Sequence, residues 1–369
     1  MFAEQRLSRA TSGFLDLLRL LAAGIVFASH CAMYWSPLRA AALVPLGHNA
    51  VVVFFVLSGY VVTYSTLSKP HRNPRDYIVA RLSRLYSVVV PALVLTALLA
   101  FIGAMIDARL YAGLSRGFDA VRYALSLLFL QNVWMLSASP PTNAPLWSLC
   151  YEFWYYVLFG CAVFVRSRIM RLASLAVAAA IAGPNILLLM PCWIFGAVVC
   201  LGRRWLTERL RFPYAAFLAG LLLLVASVVA LPALPFALGT PRWFFSASFL
   251  TDWVTALAVA TLITSVAAMP LQWPGARATA WLRRGGDLTF PLYLFHYPLI
   301  VFLTASAPFD KSSPVQAACV VAGLLAVVVG LGAAAEATRV PWTRLLEGVF
   351  SRVCAARAAA GHARPQAFP

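Results

Sequence analysis

Long apolar runs, each bounded by polar or basic residues, divide the chain. Ten of them approach the roughly 20 residues a helix needs to cross a bilayer. They predict spans at Phe14–Tyr34, Ala50–Leu67, Leu85–Ile106, Pro145–Val165, Leu172–Gly183, Asn185–Leu201, Phe212–Leu231, Leu250–Ala268, Gly286–Ala305 and Pro314–Ala334. The two runs flanking Pro184 are short, so a tilted, broken or irregular pair is expected there. Between Asp107 and Asn143 the piece Val121–Leu136 is also apolar. A full crossing by it would invert every later loop. A re-entrant or interfacial segment is therefore expected, with Trp134 and the Pro140-Pro141 pair suited to an interface. The first run is too long for a signal-peptide core and lacks a clear cleavage site, so it is read as a retained span. The expectation is an all-α, polytopic membrane domain over residues 1–350 and a loosely ordered cytoplasmic tail over 351–369.

Composition agrees with the pattern. Hydrophobic residues make up 62% of the 369 and charged residues 11%, against about 25% charged in a soluble domain. Mean hydropathy is +0.83. The net charge of +17 would suit nucleic acid if the basic residues formed one patch. They lie instead in short clusters between the apolar runs, which points to a bilayer and not to nucleic acid. Arg6 and Arg9, the stretch from Lys69 to Arg84, and the clusters at Arg166–Arg171, Arg203–Arg211 and Arg277–Arg284 fall in alternate loops, as do the basic residues from Arg339 onward. The intervening loops carry few, among them Arg39, Arg109 and Lys311. That bias predicts both termini on the cytoplasmic side. The seven Cys are scattered, with no CxxC pair and no zinc spacing.

Ionisable groups within apolar runs are costly, so they mark candidate chemistry. The first run holds Asp16, Arg19 and His30. Eleven residues at 100° each make three turns plus about 20°, and roughly 16 Å of rise. Arg19 and His30 thus share one helix stripe, one near each leaflet, and Asp16 can pair with Arg19. Read singly, Arg19 could snorkel to headgroups and His30 could join two helices. Ser58-Gly59 permits close helix approach. Arg81 and Arg84 share a helix face, a pair that suits phosphate or simply marks the cytoplasmic side. Glu152 is the lone acid of its span, expected about 10 Å deep at the level of His30, where it could orient an imidazole. His296 lies near a midplane beside Pro298, which can free carbonyls.

Five short patterns occur in order: Leu15-Asp16 with Arg19 and His30, ten residues lying between the last two; Phe54-Phe55-Val56-Leu57-Ser58-Gly59-Tyr60; Arg81 and Arg84; Trp147-Ser148-Leu149 with Glu152; and Tyr293-Leu294 with His296. Together they resemble the acyltransferase 3 family of integral membrane acyltransferases. The chain departs from it in lacking glycines around Asp16–Arg19 and in separating Glu336 from Pro341. The resemblance implies transfer of an acyl group, often acetyl, from cytoplasmic acyl-CoA to a hydroxyl of a glycan or another acceptor. Acyl-CoA is then a co-substrate, with no tightly bound cofactor and no metal. The partners are acyl-CoA, a carbohydrate acceptor and the lipid of a bacterial inner membrane. His30 would be general base with Glu152 orienting or polarising it. Arg19, Arg81 and Arg84 would hold the acyl-CoA phosphates. Asp16, Ser58, Tyr60, Trp147, Ser148 and His296 would be accessory. Either Glu152 or His296 could partner His30. Two other classes fit the same residues: a transporter or flippase with a polar path, and a scaffold in which they only join helices.

Overall fold

The computed structural model describes residues 7–35, 43–68, 73–231, 241–271, 275–310 and 312–362. It is all-helical, with no strand among those residues: α1 (Arg9–Tyr34), α2 (Leu43–Leu67), α3 (Pro74–Ile106), α4 (Ala108–Leu114), α5 (Asp119–Leu127), α6 (Leu146–Phe164), α7 (Arg168–Ala182), α8 (Pro184–Arg209), α9 (Pro213–Val229), α10 (Phe249–Ala268), α11 (Ala276–Ser306), α12 (Pro314–Ala337) and α13 (Arg339–His362). Eight helical segments among the described residues are long and apolar enough to cross a bilayer: α1, α2, α3, α6, α8, α10, α11 and the α12–α13 unit. Two of the ten expected spans are shorter helices, α7 with 15 residues and α9 with 17. The expected basic positions Arg6, Arg39, Lys69, Arg72 and Lys311 lie outside the described residues.

The helices differ from the apolar runs mainly at their polar ends. Arg81 and Arg84, expected on one helix face but in the segment between two spans, lie inside α3. Its start is set by Asn73, whose side chain accepts the Arg75 N–H at 2.9 Å, and by Pro74 in the first turn. Hydropathy misses this segment because the first turns of α3 are amphipathic. The helix α13 runs to His362, well into the segment expected as a loose tail. Ala and Arg, which dominate that segment, are strong helix formers. The pair flanking Pro184 is asymmetric: α7 stops at Gly183, with φ of 80°, and α8 continues to Arg209.

Contacts between helices give their directions. Leu7 meets Tyr64 and Ser29 meets Gly47, so α2 returns along α1. Asp16 lies against Gly286, and His30 and Trp35 meet His296 and Thr304, so α11 runs parallel to α1. The end holding Arg9, Tyr64 and Tyr77 is termed proximal, and the end holding Tyr34, His48 and Trp147 distal. The stretch after α5 turns back from the distal end without crossing. Phe129 is buried against Phe153 and Tyr86, and its carbonyl accepts the Trp154 indole N–H at 3.1 Å. Val121–Leu136, expected as a re-entrant or interfacial segment, thus folds back against α3 and α6.

Backbones touch most closely between α2 and α8. A Cβ on Gly59 would collide with the carbonyl of Trp193, and one on Gly196 with that of Val56. Small residues let the two helices approach to this distance. Gly59→Ala is expected to cost about 1–3 kcal/mol through overpacking, despite the better helix propensity of Ala. A lowered unfolding temperature in detergent would register it. Gly24→Ala, whose Cβ would meet nothing within 4 Å, should not lower it.

Candidate active site

Three guanidinium groups converge in a cavity of about 70 Å³ between α1, α2, α3, α6 and α11. Arg19, Arg81 and Arg84 line it together with Ser58, Glu152, Tyr156, Ser148 and Tyr293. Arg19 is paired with Asp16 at 3.3 Å. Arg81 donates to the Ser65 hydroxyl at 3.1 Å and lies over the rings of Tyr77 and Tyr156, 6.0 and 5.8 Å from their centroids. Its Nε is buried with no partner among the described residues. Arg84 rests 5.9 Å from the Phe290 centroid. The lining thus holds three permanent cations and one carboxylate, Glu152, which is an arrangement for an anion. Glu152 is already engaged: it accepts from Ser58 at 2.8 Å and from Tyr156, one turn along the same helix.

The distal limit of the cavity is a hydroxyl pair, Ser148 Oγ and Tyr293 Oη at 2.8 Å. One turn beyond Tyr293 lies His296, completely buried. Its Nδ1 is 2.7 Å from the carbonyl oxygen of Leu292. A carbonyl only accepts, so Nδ1 carries the hydrogen and Nε2 carries the lone pair. That Nε2 is 2.7 Å from Nδ1 of His30. His30 must then donate from Nδ1, and its Nε2 is left with a lone pair and no hydrogen bond among the described residues. Phe27 and Tyr297 pack edge-on against the two imidazoles. Pro298 contributes by lacking an N–H: the Leu294 carbonyl it leaves free accepts from Asn143 at 3.2 Å, which ties the re-entrant stretch to α11. An imidazole held in one tautomer by a relay from the backbone can accept a proton at a defined atom.

A family model described as an acyltransferase domain matches residues 12–333, from the first turn of α1 to the last turns of α12. The chain belongs to the acyltransferase 3 family. No curated protein and no solved structure was found to match it. With eight apolar segments of spanning length, it is an integral membrane acyltransferase.

Within this acyltransferase the residues singled out in the sequence fall into two groups. Arg19, Arg81, Arg84, Ser58, Ser148 and Glu152 line the cavity, and Asp16 supports Arg19. His30 and His296 form the pair beyond it. One expectation needs correction. Glu152 does not orient His30; its hydrogen bonds go to Ser58 and Tyr156, and His30 is held by His296. The reason is helix order: α1 turns its His30 face to α11, while Glu152 faces α2 and α3. Tyr60 is buried at the α2–α8 contact and does not line the cavity. Trp147 lies above the cavity at the distal end, stacked on His48 and Phe245. Sequence reasoning missed Tyr156, His48 and Asp252, and it named Tyr293 only as part of a pattern, without a role. For Asp252 the signal was present, since it is a lone acid within an apolar run.

Proposed function

We propose that this acyltransferase moves an acyl group, acetyl in the simplest case, from acyl-CoA to a hydroxyl of an extracytoplasmic or lipid-linked glycan. In this reading the proximal end faces the cytoplasm of a bacterial inner membrane, as the basic clusters suggest. CoA carries phosphates at one end and a thin arm ending in the thioester. Arg19, Arg81 and Arg84 hold the phosphates. Glu152, with Ser58 and Tyr156, lines the arm's path and offsets part of the positive charge. The thioester reaches His30 past Ser148 and Tyr293. His30 takes the acceptor proton on Nε2, the hydroxyl oxygen attacks the thioester carbonyl, and the CoA thiolate leaves and is protonated. No Ser or Cys nucleophile is needed. The single observation that carries the reading is the relay from the Leu292 carbonyl through His296, which leaves His30 with a free Nε2 lone pair.

The test is thiol release from acetyl-CoA by the purified protein in proteoliposomes, with and without added acceptor polysaccharide. Acceptor-dependent release is expected. Glycan movement without acyl-CoA, and without thiol release, would favour a transporter instead. The hydroxyl pair that ends the cavity gives a second expectation. Tyr293→Phe removes one hydrogen bond worth about 1 kcal/mol. It should raise acceptor-independent thiol release several-fold, because water then reaches the thioester more freely. Unchanged background hydrolysis would show that the Ser148–Tyr293 contact does not close the path.

A further inference from the structure

A second imidazole lies at the distal end, on a helix face that takes no part in the acyl-transfer step. His48, in the first turns of α2, places Nε2 3.0 Å from Oδ1 of Asp252 in α10. The Asp252 side chain is 1% exposed and its Oδ2 has no hydrogen-bond partner among the described residues. The His48 side chain is 28% exposed. Its ring is stacked on Trp147 at 5.9 Å with an interplanar angle of 10°, and Trp147 is stacked on Phe245 at 4.1 Å.

As a simple join between α2 and α10 this is a costly choice. A buried carboxylate with one oxygen unsatisfied is expensive, whereas neutral hydroxyls already link α10 to α9 through Thr255 and Ser227 at 3.0 Å. What the carboxylate does achieve is to fix the ring. It accepts the Nε2 hydrogen and leaves Nδ1, which has no hydrogen bond among the described residues, as the atom the ring offers: a lone pair when the ring is neutral, an N–H when the carboxylate holds it protonated. The ring plane is fixed as well, by Trp147.

The two imidazoles are neighbours in level. A Cβ on Gly47 would come 2.5 Å from Ser29 Oγ, so α1 and α2 touch there. His48 and His30 are each the next residue along, flanking one helix contact. Each is held by a partner on a further helix, and each has one ring nitrogen without a hydrogen bond among the described residues. Two such nitrogens at one level match a ligand that offers at least two hydroxyls, since a hydroxyl both donates and accepts.

We propose that His48, positioned by Asp252, binds the acceptor, a polyhydroxylated carbohydrate, through a hydrogen bond between its Nδ1 and one of the sugar hydroxyls. A second hydroxyl is thereby presented to His30. Asp252 acts through His48 and is a positioning residue. The proposal rests on the acyltransferase reading for the chemical step after binding, but the binding can be tested alone.

Diethyl pyrocarbonate labels accessible imidazoles, and peptide masses assign the label. On the wild-type protein in proteoliposomes, His48 is expected to be labelled. Saturating de-acylated envelope polysaccharide from the source cells should reduce that labelling several-fold. Labelling of His48 that the polysaccharide leaves unchanged overturns the proposal. In the thiol-release assay, His48→Ala and Asp252→Asn should each raise the KM for polysaccharide about tenfold and leave the KM for acetyl-CoA unchanged. A loss of folded protein or of kcat, with no separation of the two KM values, would mark the dyad as structural and overturn the proposal. Absence of thiol release from the wild type would sink the acyltransferase reading instead, while the labelling result would still decide whether His48 meets the sugar.

Discussion

His30→Asn is expected to lower acceptor-dependent thiol release by about 10²–10⁴-fold, the range for loss of a positioned general base. The Asn amide can still donate toward His296 Nε2, so the distal packing and the fold should be kept. What disappears is the lone pair on Nε2. Binding of labelled acyl-CoA should be unaffected, because the groups assigned to it line a different part of the bundle. His296→Phe makes a related point. It preserves a buried ring beside Phe27 and Tyr297 but ends the relay from the Leu292 carbonyl. His30 then has no fixed tautomer, and kcat should fall with little change in either KM. Variants of both histidines that turn over at wild-type rates would mean that the pair only joins α1 to α11.

The second large effect is expected at the proximal end. Arg81→Ala combined with Arg84→Ala removes two of three cations from the cavity. A hydrogen bond to a charged group is worth about 1.5–3 kcal/mol, and each 1.4 kcal/mol is about tenfold in affinity. The KM for acyl-CoA should therefore rise by about 100-fold or more, while kcat at saturation changes little. Lys at both positions keeps the charge and loses the planar fork, so an intermediate KM is expected. An unchanged KM in the Ala pair would reduce these residues to markers of the cytoplasmic side. Their place inside α3 makes the larger effect the expected one. A loop arginine has many ways to reach water, whereas Arg81 is fixed by Ser65 and by two aromatic rings.

Most of the architecture is legible in the sequence because lipid imposes a simple rule: apolar runs of spanning length become helices. The rule fails where its premises do. It does not see polar first turns, so α3 and α11 begin before their apolar runs. Leu172–Gly183 and Phe212–Leu231 correspond to α7, of 15 residues, and α9, of 17, the shortest helices formed by the ten runs. The site was legible as residues more than as a constellation. Periodicity put Arg19 and His30 on one stripe of α1, and both do face α11, Arg19 in the cavity and His30 against His296. Depth along separate helices could not decide partners, because helix order in the bundle is a matter of long-range packing. Two groups at one depth can face different neighbours. That is how Glu152 came to be expected beside His30 when it belongs with Ser58 and Tyr156. The Asp252–His48 pair escaped for the same reason, since 204 residues separate its members in the chain.

The central claim is that His30 completes acyl transfer to an envelope glycan. The most direct measurement is the mass of those glycans from three sets of cells: with the wild-type protein, without it, and with His30→Asn at matched expression. An added acyl mass, that of acetyl in the simplest case, is expected only with the wild type. Glycan masses that are the same in all three, or an acyl mass that persists with His30→Asn, would contradict the claim.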